Sequence, residues 1–510
     1  MRVVATALAA TILAGSVGVA GGDALAQVAS MTTPNASKAP QADAAADPYI
    51  WLEEKDGAKP LAWVEAENAV TLPRLQNDPR YKSFYAEALA IAAAKDRIPM
   101  PDQRFGRIYN FWRDAEHPQG IWRWTSEAGY AQATPVWTTA LDLDALSKAE
   151  GKKWVWKGAT CLQPDERLCL VSLSEGGEDA VTYREFDLQT GQFVPGGFTL
   201  PTSKQGASWV DKDTLLVARD WGAGSMTASG YPFVVKEVKR GQPLSAAREI
   251  FRGEASDQLG TYAGVMTDGQ GNRVTMIQRR PTFFGGEKHV VTPTGLVKLD
   301  VPARVFPSGM VDGHVIFSTS EAWGQIPAGA IASAPLAEVR KGRFTPTLIF
   351  APNARQSVDG VSVTRDHVVA SVYDNVRGRA MVFTRGKTGW TSRAVALPDN
   401  ASIDVASTTD RSNATFVQVT GFLQPTTLWT LDAGATGVPK QVKALPAKFD
   451  ASNDIVEQFE AVSTDGTNGS HDRIAGTARR AGRRARSRCP TMPRSMSRAR
   501  PIAATRRSCR

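Results

Sequence analysis

A short apolar run set behind a turn aspartate recurs seven times along this chain, and that series constrains the fold more than any other feature of the sequence. The best-defined copy spans residues 154–194. Within it, 154–160 and 168–174 are rich in β-formers and flank Gln163-Pro164-Asp165-Glu166, where proline and aspartate favour a turn. A third run, 181–188, follows Gly176-Gly177, so the copy reads as a meander of antiparallel strands. Phasing on the turn aspartate places the remaining copies at Asp114, at Asp211 or Asp213, and at Asp268, Asp312, Asp366 and Asp410. The period, about 44 to 57 residues, is that of a four-stranded propeller blade. A third strand follows in most units, among them TPVWTTALDL, VTYREFDL, PFVVKEV and TTLWTLD. Seven units predict an all-β, seven-bladed β-propeller; a large β-sandwich with fortuitous turn spacing is the competing architecture.

The amino end has a different character. Met1-Arg2, an apolar run over 3–20 and the small residues Ala24 and Ala26 form a signal peptide (1–26) cleaved before Gln27. A transmembrane anchor is the alternative, but the run is Gly- and Ala-rich and the cleavage motif follows at once. No other stretch is long and apolar enough to span a bilayer, so the expectation is an exported protein, periplasmic or secreted, without a membrane span once the signal is removed. Residues 27–46, rich in Ala, Ser, Thr, Pro and Asp, read as a disordered linker. In 47–103, a helical leader, Pro60 suits a first helical turn, Pro73 should kink or end that helix, and Asn77-Asp78-Pro79 starts a second one running to Ala94. The propeller is predicted over 104–455 and a link over 456–467.

DPYIWLE followed by AWVEAENAVT resembles the amino-terminal signature of the prolyl oligopeptidase family of serine peptidases. Collinear matches continue through WKGATCL, LVSLSEGGEDA, REFDLQTGQFV, SWVDKDTLLVARDWG, TASGYP and GFLQPTTLW, so the likeness covers residues 47–467. The resemblance implies a two-domain enzyme in which the leader helices lie against an α/β-hydrolase domain and a propeller restricts access to its serine. Short peptides, cut after proline, are the substrates that it implies. The family's hydrolase domain should begin near FEAVSTDGT and run for about 250 residues. Only 43 residues follow Thr467.

The chemistry of that domain needs a serine on a strained G-x-S-x-G turn, then Asp and His, with backbone amides as an oxyanion hole. No stretch matches. Ser225 in GAGSMTASG comes nearest, but Ala223 and Thr227 stand where glycines are required, which makes it a loop serine. The five histidines are His117 in a hairpin loop, His289 at a strand start, His314 and His367 between a turn and a strand, and His471 in the tail. None stands in a triad context, no H-E-x-x-H or paired Cys-x-x-Cys offers a zinc site, and no cofactor is expected. The expectation is a chain without catalytic residues and without peptidase turnover. A stand-alone peptide-binding or scaffold propeller is the alternative.

Residues 468–510 form an Arg-rich tail, expected to be disordered. From residue 466 onward there are thirteen arginines and one acid, Asp472, a net of +12, whereas the preceding residues carry a net of −3. Three readings are open: a basic arm binding acidic surfaces, an unspecific disordered tail, or a frame-shifted sequence from GC-rich codons. The loss of the family pattern after DGT favours the third. Binding of nucleic acid is not expected of an exported protein. Cys161 and Cys169 flank the Pro164-Asp165 turn and face one another if the loop is three residues, within disulfide reach; two buried free thiols are the alternative. Cys489 and Cys509 belong to the tail. Gly222, Gly224 and Gly230 are candidates for shaping a loop that borders the propeller's channel.

Overall fold

The computed structural model describes residues 47–54, 56–464, 466 and 468–476. The signal peptide with Ala24, Ala26 and Gln27, the linker, and the tail beyond 476 with Cys489 and Cys509 lie outside the described residues.

Seven sheets of consecutive antiparallel strands occupy 102–142, 154–203, 206–252, 261–298, 305–350, 356–394 and 401–444, here blades 1 to 7 of a seven-bladed β-propeller. Each blade is a meander whose strands pair in sequence order. Blade 2 adds a fifth strand, Thr199–Ser203, because its outer edge breaks at Pro195-Gly196-Gly197 and then resumes pairing with Val181–Asp187.

Blade 1 departs from the predicted phase. In six blades the aspartate turn leads into the second strand, but Asp114 lies between the second strand, Arg107–Trp112, and the third, Ile121–Thr125. The first turn of blade 1 is Phe105-Gly106, both at positive φ, and carries no aspartate. TPVWTTALDL accordingly supplies the fourth strand, Thr138–Asp142, rather than the third. The first strand begins at Asp102, two residues ahead of the predicted boundary.

A sheet that is apolar on both faces must find a neighbour on each side. Seven apolar clusters meet that need, one between each pair of adjacent blades. Between blades 1 and 2, Tyr109 and Trp122 pack against Trp154, Val171 and Phe186, with Trp122 and Phe186 rings 5.9 Å apart. Between blades 4 and 5, Met276 and Val290 meet Val305, Met310 and Phe317. Polar links join the same interfaces. The guanidinium of Arg240 in blade 3 donates to both carboxylate oxygens of the buried Glu185 in blade 2, at 2.7 and 3.0 Å.

Among the described residues no strand is shared between the first and last blades, so side-chain packing and a few hydrogen bonds close the ring. Ile108 and Tyr130 of blade 1 pack against Phe416 and Leu428 of blade 7, with the Tyr130 and Phe416 rings 5.5 Å apart. Gln103 adds its amide N–H to Ser407 Oγ at 3.2 Å and its Nε2 to the Ala414 carbonyl at 3.2 Å.

Ahead of the ring, α1 (Ala58–Gln76) and α2 (Tyr81–Ala92) form the leader. Pro60 sits in the first turn of α1, while Pro73 neither ends the helix nor prevents its last turn, since the Asn77 amide still reaches the Pro73 carbonyl at 3.0 Å. The carbonyl left without an amide, that of Ala69, belongs to an exposed residue, where water can take its place. α2 starts at Tyr81 and ends two residues short of Ala94. Pro60 is the one buried residue of the two helices; Leu61, Trp63, Val70, Phe84 and Ile91 are exposed.

Residues 449–476 belong to a separate unit. Its strands Asp454–Val462 and Asn468–Gly476 pair antiparallel, with Phe459 opposite His471. The start of the predicted tail is therefore strand, because ladder pairing is a property of the backbone and tolerates a change of side-chain pattern.

Truncating the closing aromatic should loosen the ring at the seam that Tyr130, Phe416 and Gln103 hold. Phe416→Ala is expected to cost about 3 kcal/mol. Urea unfolding measures that loss, and hydrogen exchange should rise first in the strands of blades 1 and 7.

Candidate functional site

First strands of successive blades lie against one another from blade 3 to blade 7, and the propeller architecture places Asp102–Arg104, Trp154–Cys161, Gly206–Asp211, Thr261–Thr267, Val305–Val311, Gln356–Val363 and Ala401–Ser407 around the central channel. Because every blade is an antiparallel meander, the first strands all begin on one face of the disc. The loops between second and third strands share that entry face. Turns between first and second strands share the other, the turn face.

Along the channel wall, Asp359 of blade 6 and Asp404 of blade 7 stand at equivalent positions in their strands. Partial desolvation raises the carboxyl pKa of both above the usual aspartate value, although Asp359 remains exposed to solvent, and the charge of Asp359 raises Asp404 further. Ser402 Oγ donates to Asp404 Oδ2 at 3.4 Å and also bonds the Tyr373 hydroxyl at 2.9 Å. These wall residues escaped the sequence reading, since an inner strand and a middle strand share one alternating pattern.

On the entry face, Gly222, Gly224 and Gly230 lie in the loop between Thr214–Ala218 and Val234–Lys239 of blade 3, all at positive φ. That loop joins the second and third strands, so it leaves the blade one strand out from the channel wall. Ser225 is buried in it, and its hydroxyl donates to the Gly222 carbonyl at 2.6 Å while accepting from the Trp221 amide at 2.9 Å. Those bonds occupy the hydroxyl in loop structure. Nearby, Tyr262 is exposed at the start of a first strand, and the exposed Phe283 and Phe284 have ring centroids 5.0 Å apart.

The histidines are dispersed. His117 Nδ1 lies 3.1 Å from Asp114 Oδ1 in blade 1, and His314 Nδ1 lies 2.8 Å from the Asp312 carbonyl in blade 5. His289 is the third residue of its strand, with its ring 4.9 Å from that of Phe251. His367 is buried and bonded through Nδ1 to Thr384 Oγ1 at 2.9 Å. His471 lies in the separate hairpin. Burial lowers the pKa of both His289 and His367. Among the described residues no group of three or more His, Cys, Asp or Glu side chains is placed to hold a metal.

Cys161 and Cys169 are paired in register and joined as a disulfide. The turn is longer than three residues, since the Leu162 amide donates to the Leu168 carbonyl at 2.8 Å. Opposition of the two cysteines needs only a loop centred on Asp165. Within that turn Glu166 is buried and accepts from the Phe105 amide of blade 1 at 2.8 Å and from Gln163 Nε2 at 2.9 Å. Desolvation raises its pKa.

One buried cation was also missed. Lys288, in the third strand of blade 4, donates from Nζ to the carbonyls of Gly286 at 2.8 Å and Ala303 at 2.6 Å. Its ammonium also lies 4.2 Å from the centroid of the Phe306 ring. Burial lowers its pKa to about 8, with the nearby Arg280 charge contributing. This lysine ties blade 4 to the connection entering blade 5.

The architecture and these residues define a propeller domain with a walled channel and no triad among its described side chains. Residues 29–277 and 319–443 match the family described as prolyl oligopeptidase, N-terminal beta-propeller domain. The chain belongs to the prolyl oligopeptidase family through that domain. It is 42% identical over 436 residues to an uncharacterized peptidase of Sinorhizobium fredii, covering 83% of this chain and 60% of that protein. With an uncharacterized peptidase of Rickettsia prowazekii it shares 28% identity over 439 residues, covering 82% of this chain and 60% of the relative. The structure of a post-proline cleaving enzyme from Rickettsia typhi is similar at a TM-score of 0.76 and 26% identity, over 84% of this chain and 64% of that one. Oligopeptidase B from Leishmania major shares the fold, with a TM-score of 0.64 at 13% identity over 84% of this chain and 60% of that one. The chain thus spans about 60% of the length of the curated relatives it matches.

Lys288 generates a pH prediction with a definite sign. A lysine whose folded pKa lies near 8 and whose ordinary value is 10.5 binds fewer protons folded than unfolded between those limits, so its contribution to stability rises with pH across that window. Lys288→Met should flatten the slope of unfolding free energy between pH 8 and 10.5, measured by urea titration at fixed ionic strength.

Proposed function

We propose that this chain carries the substrate-gating part of a prolyl oligopeptidase-type serine endopeptidase acting on short proline-containing peptides. The observation that carries this reading is a complete ring of seven blades around one channel, in residues that match the family's propeller. A ring of this kind limits by width what can enter its channel, admitting an extended peptide and refusing a folded protein. The Rickettsia typhi relative, described as a post-proline cleaving enzyme, supports the choice of proline-containing peptides.

The 510 residues contain no G-x-S-x-G, and the described histidines are spread over blades 1, 4, 5 and 6 and the separate hairpin. Without a nucleophile beside a base and an oxyanion hole, nothing stabilises an acyl-transfer transition state. The chain by itself is therefore proposed to be inactive. The Cys161–Cys169 disulfide and the amino-terminal sequence support export to the periplasm or beyond.

A second reading, a propeller that binds peptides without chemistry, is favoured by the completeness of the ring, every blade having its own four strands. A fluorogenic prolyl peptide should give no turnover above buffer with the purified chain. An active-site organophosphonate should leave its intact mass unchanged, and covalent labelling would overturn the inactivity claim. Saturable binding of an uncleaved prolyl peptide would favour the second reading.

A further inference from the structure

We infer that the loop 408–413 of blade 7 closes the turn-face mouth of the channel, so that the channel opens to a ligand from the entry face only. Neighbouring blades of any propeller touch at their turns. This loop instead reaches blades that are not its neighbours.

Asp410 accepts through Oδ2 from the Thr267 hydroxyl of blade 4 at 2.7 Å, and blade 4 lies three places away around the ring. Next to it, Arg411 extends the other way, past blade 1, and donates from Nη1 to the carbonyls of Pro164 and Asp165 in the first turn of blade 2, both at 3.2 Å. Beyond them, the Ser412 carbonyl accepts from the Arg365 amide of blade 6 at 3.1 Å. One loop therefore touches the first turns of blades 2 and 6 and the end of the first strand of blade 4.

Blade 4 meets it with a turn of matching form. Gln270 Nε2 crosses blade 5 to Asp366 Oδ1 of blade 6 at 3.2 Å, while the Gln270 Oε1 accepts from the Asp312 amide of blade 5 at 3.3 Å. A Cβ added at Gly269 would strike the Arg365 side chain and the Asp410 backbone oxygen. Glycine is required there because two backbones approach where an open ring would leave solvent. The contact between blades 4 and 7 crosses the mouth, and that between blades 7 and 2 bridges past blade 1, so the channel ends blindly at this face.

No such span appears among the described contacts of the entry face, and midway along the channel the first strand of blade 4 presents an exposed Gly264 whose added Cβ would meet no atom within 4 Å. The closure stands on the cross-blade contacts alone. Only its consequence for peptides, entry and exit at the same face, rests on the proposed gating function.

Two single-cysteine reporters test it in the full chain with Cys489→Ser and Cys509→Ser. Thr267→Cys, under the loop, should be shielded from a bulky polyethylene-glycol maleimide, and adding Asp410→Ala with Arg411→Ala should speed its labelling about tenfold. Gly264→Cys should react readily with N-ethylmaleimide whether or not the loop is altered. Labelling of Thr267→Cys at the rate of an unstructured cysteine peptide would overturn the closure. A folded double variant without acceleration would do the same, as would a Gly264→Cys that reacts only once the loop is altered. If the double variant does not fold, the pair Thr267→Cys and Asp410→Cys replaces it: a disulfide forming on mild oxidation is expected, and its failure to form counts against the contact.

Discussion

Apolar contact between neighbouring blades is the interaction on which everything else in this structure depends. Each four-stranded sheet is too small to cover its own two faces, and the second strands, such as those holding Val368–Val372 and Thr214–Ala218, are buried almost throughout. A blade gains its stability only when the next one is in place. The ring must then close on itself, and here it closes through Tyr130, Phe416 and Gln103 rather than through a shared strand. Closure is thus a matter of side-chain packing, as at every blade interface, and the seam between blades 7 and 1 differs from the others in that no connection from one blade to the next in sequence crosses it.

Turn aspartates give that packing its order. Asp268 illustrates how: its Oδ1 accepts the amides of Gln270 and Asn272 within its own turn, and its Oδ2 accepts the Gly313 amide of blade 5. One carboxylate therefore folds a hairpin and docks the neighbouring blade. Asp366 does related work, receiving Asn413 Nδ2 from blade 7 at 2.9 Å. The same residues that make the repeat visible in the sequence hold the blades in register around the axis, and they bring the turns close enough for loop 408–413 to cross the mouth.

The leader adds a contrast. Its helices carry apolar residues at helical spacing, yet Val70 is 71% and Ile91 70% exposed. Amphipathic helices with open apolar faces are stable only when something covers those faces. The resemblance read from the sequence implies a hydrolase domain as that cover.

Much of this was legible in the chain itself. The repeat length and the aspartate turns determined seven blades, because turn chemistry and β-propensity act over a few residues and need no distant partner. Helices around Pro60 and after Pro79 followed from local spacing, and the opposition of Cys161 and Cys169 followed from the symmetry of one hairpin. Blade 1 was misphased by one strand because its first turn uses Phe105-Gly106, which carries no aspartate signal. The paired acids Asp359 and Asp404, the buried Lys288 and the reach of Arg411 to Pro164 were decided only by the tertiary structure. They join residues on different blades, and nothing in a linear sequence records which blades face each other across a channel. Sequence determined what each blade is; the closing of the ring decided which side chains share its axis.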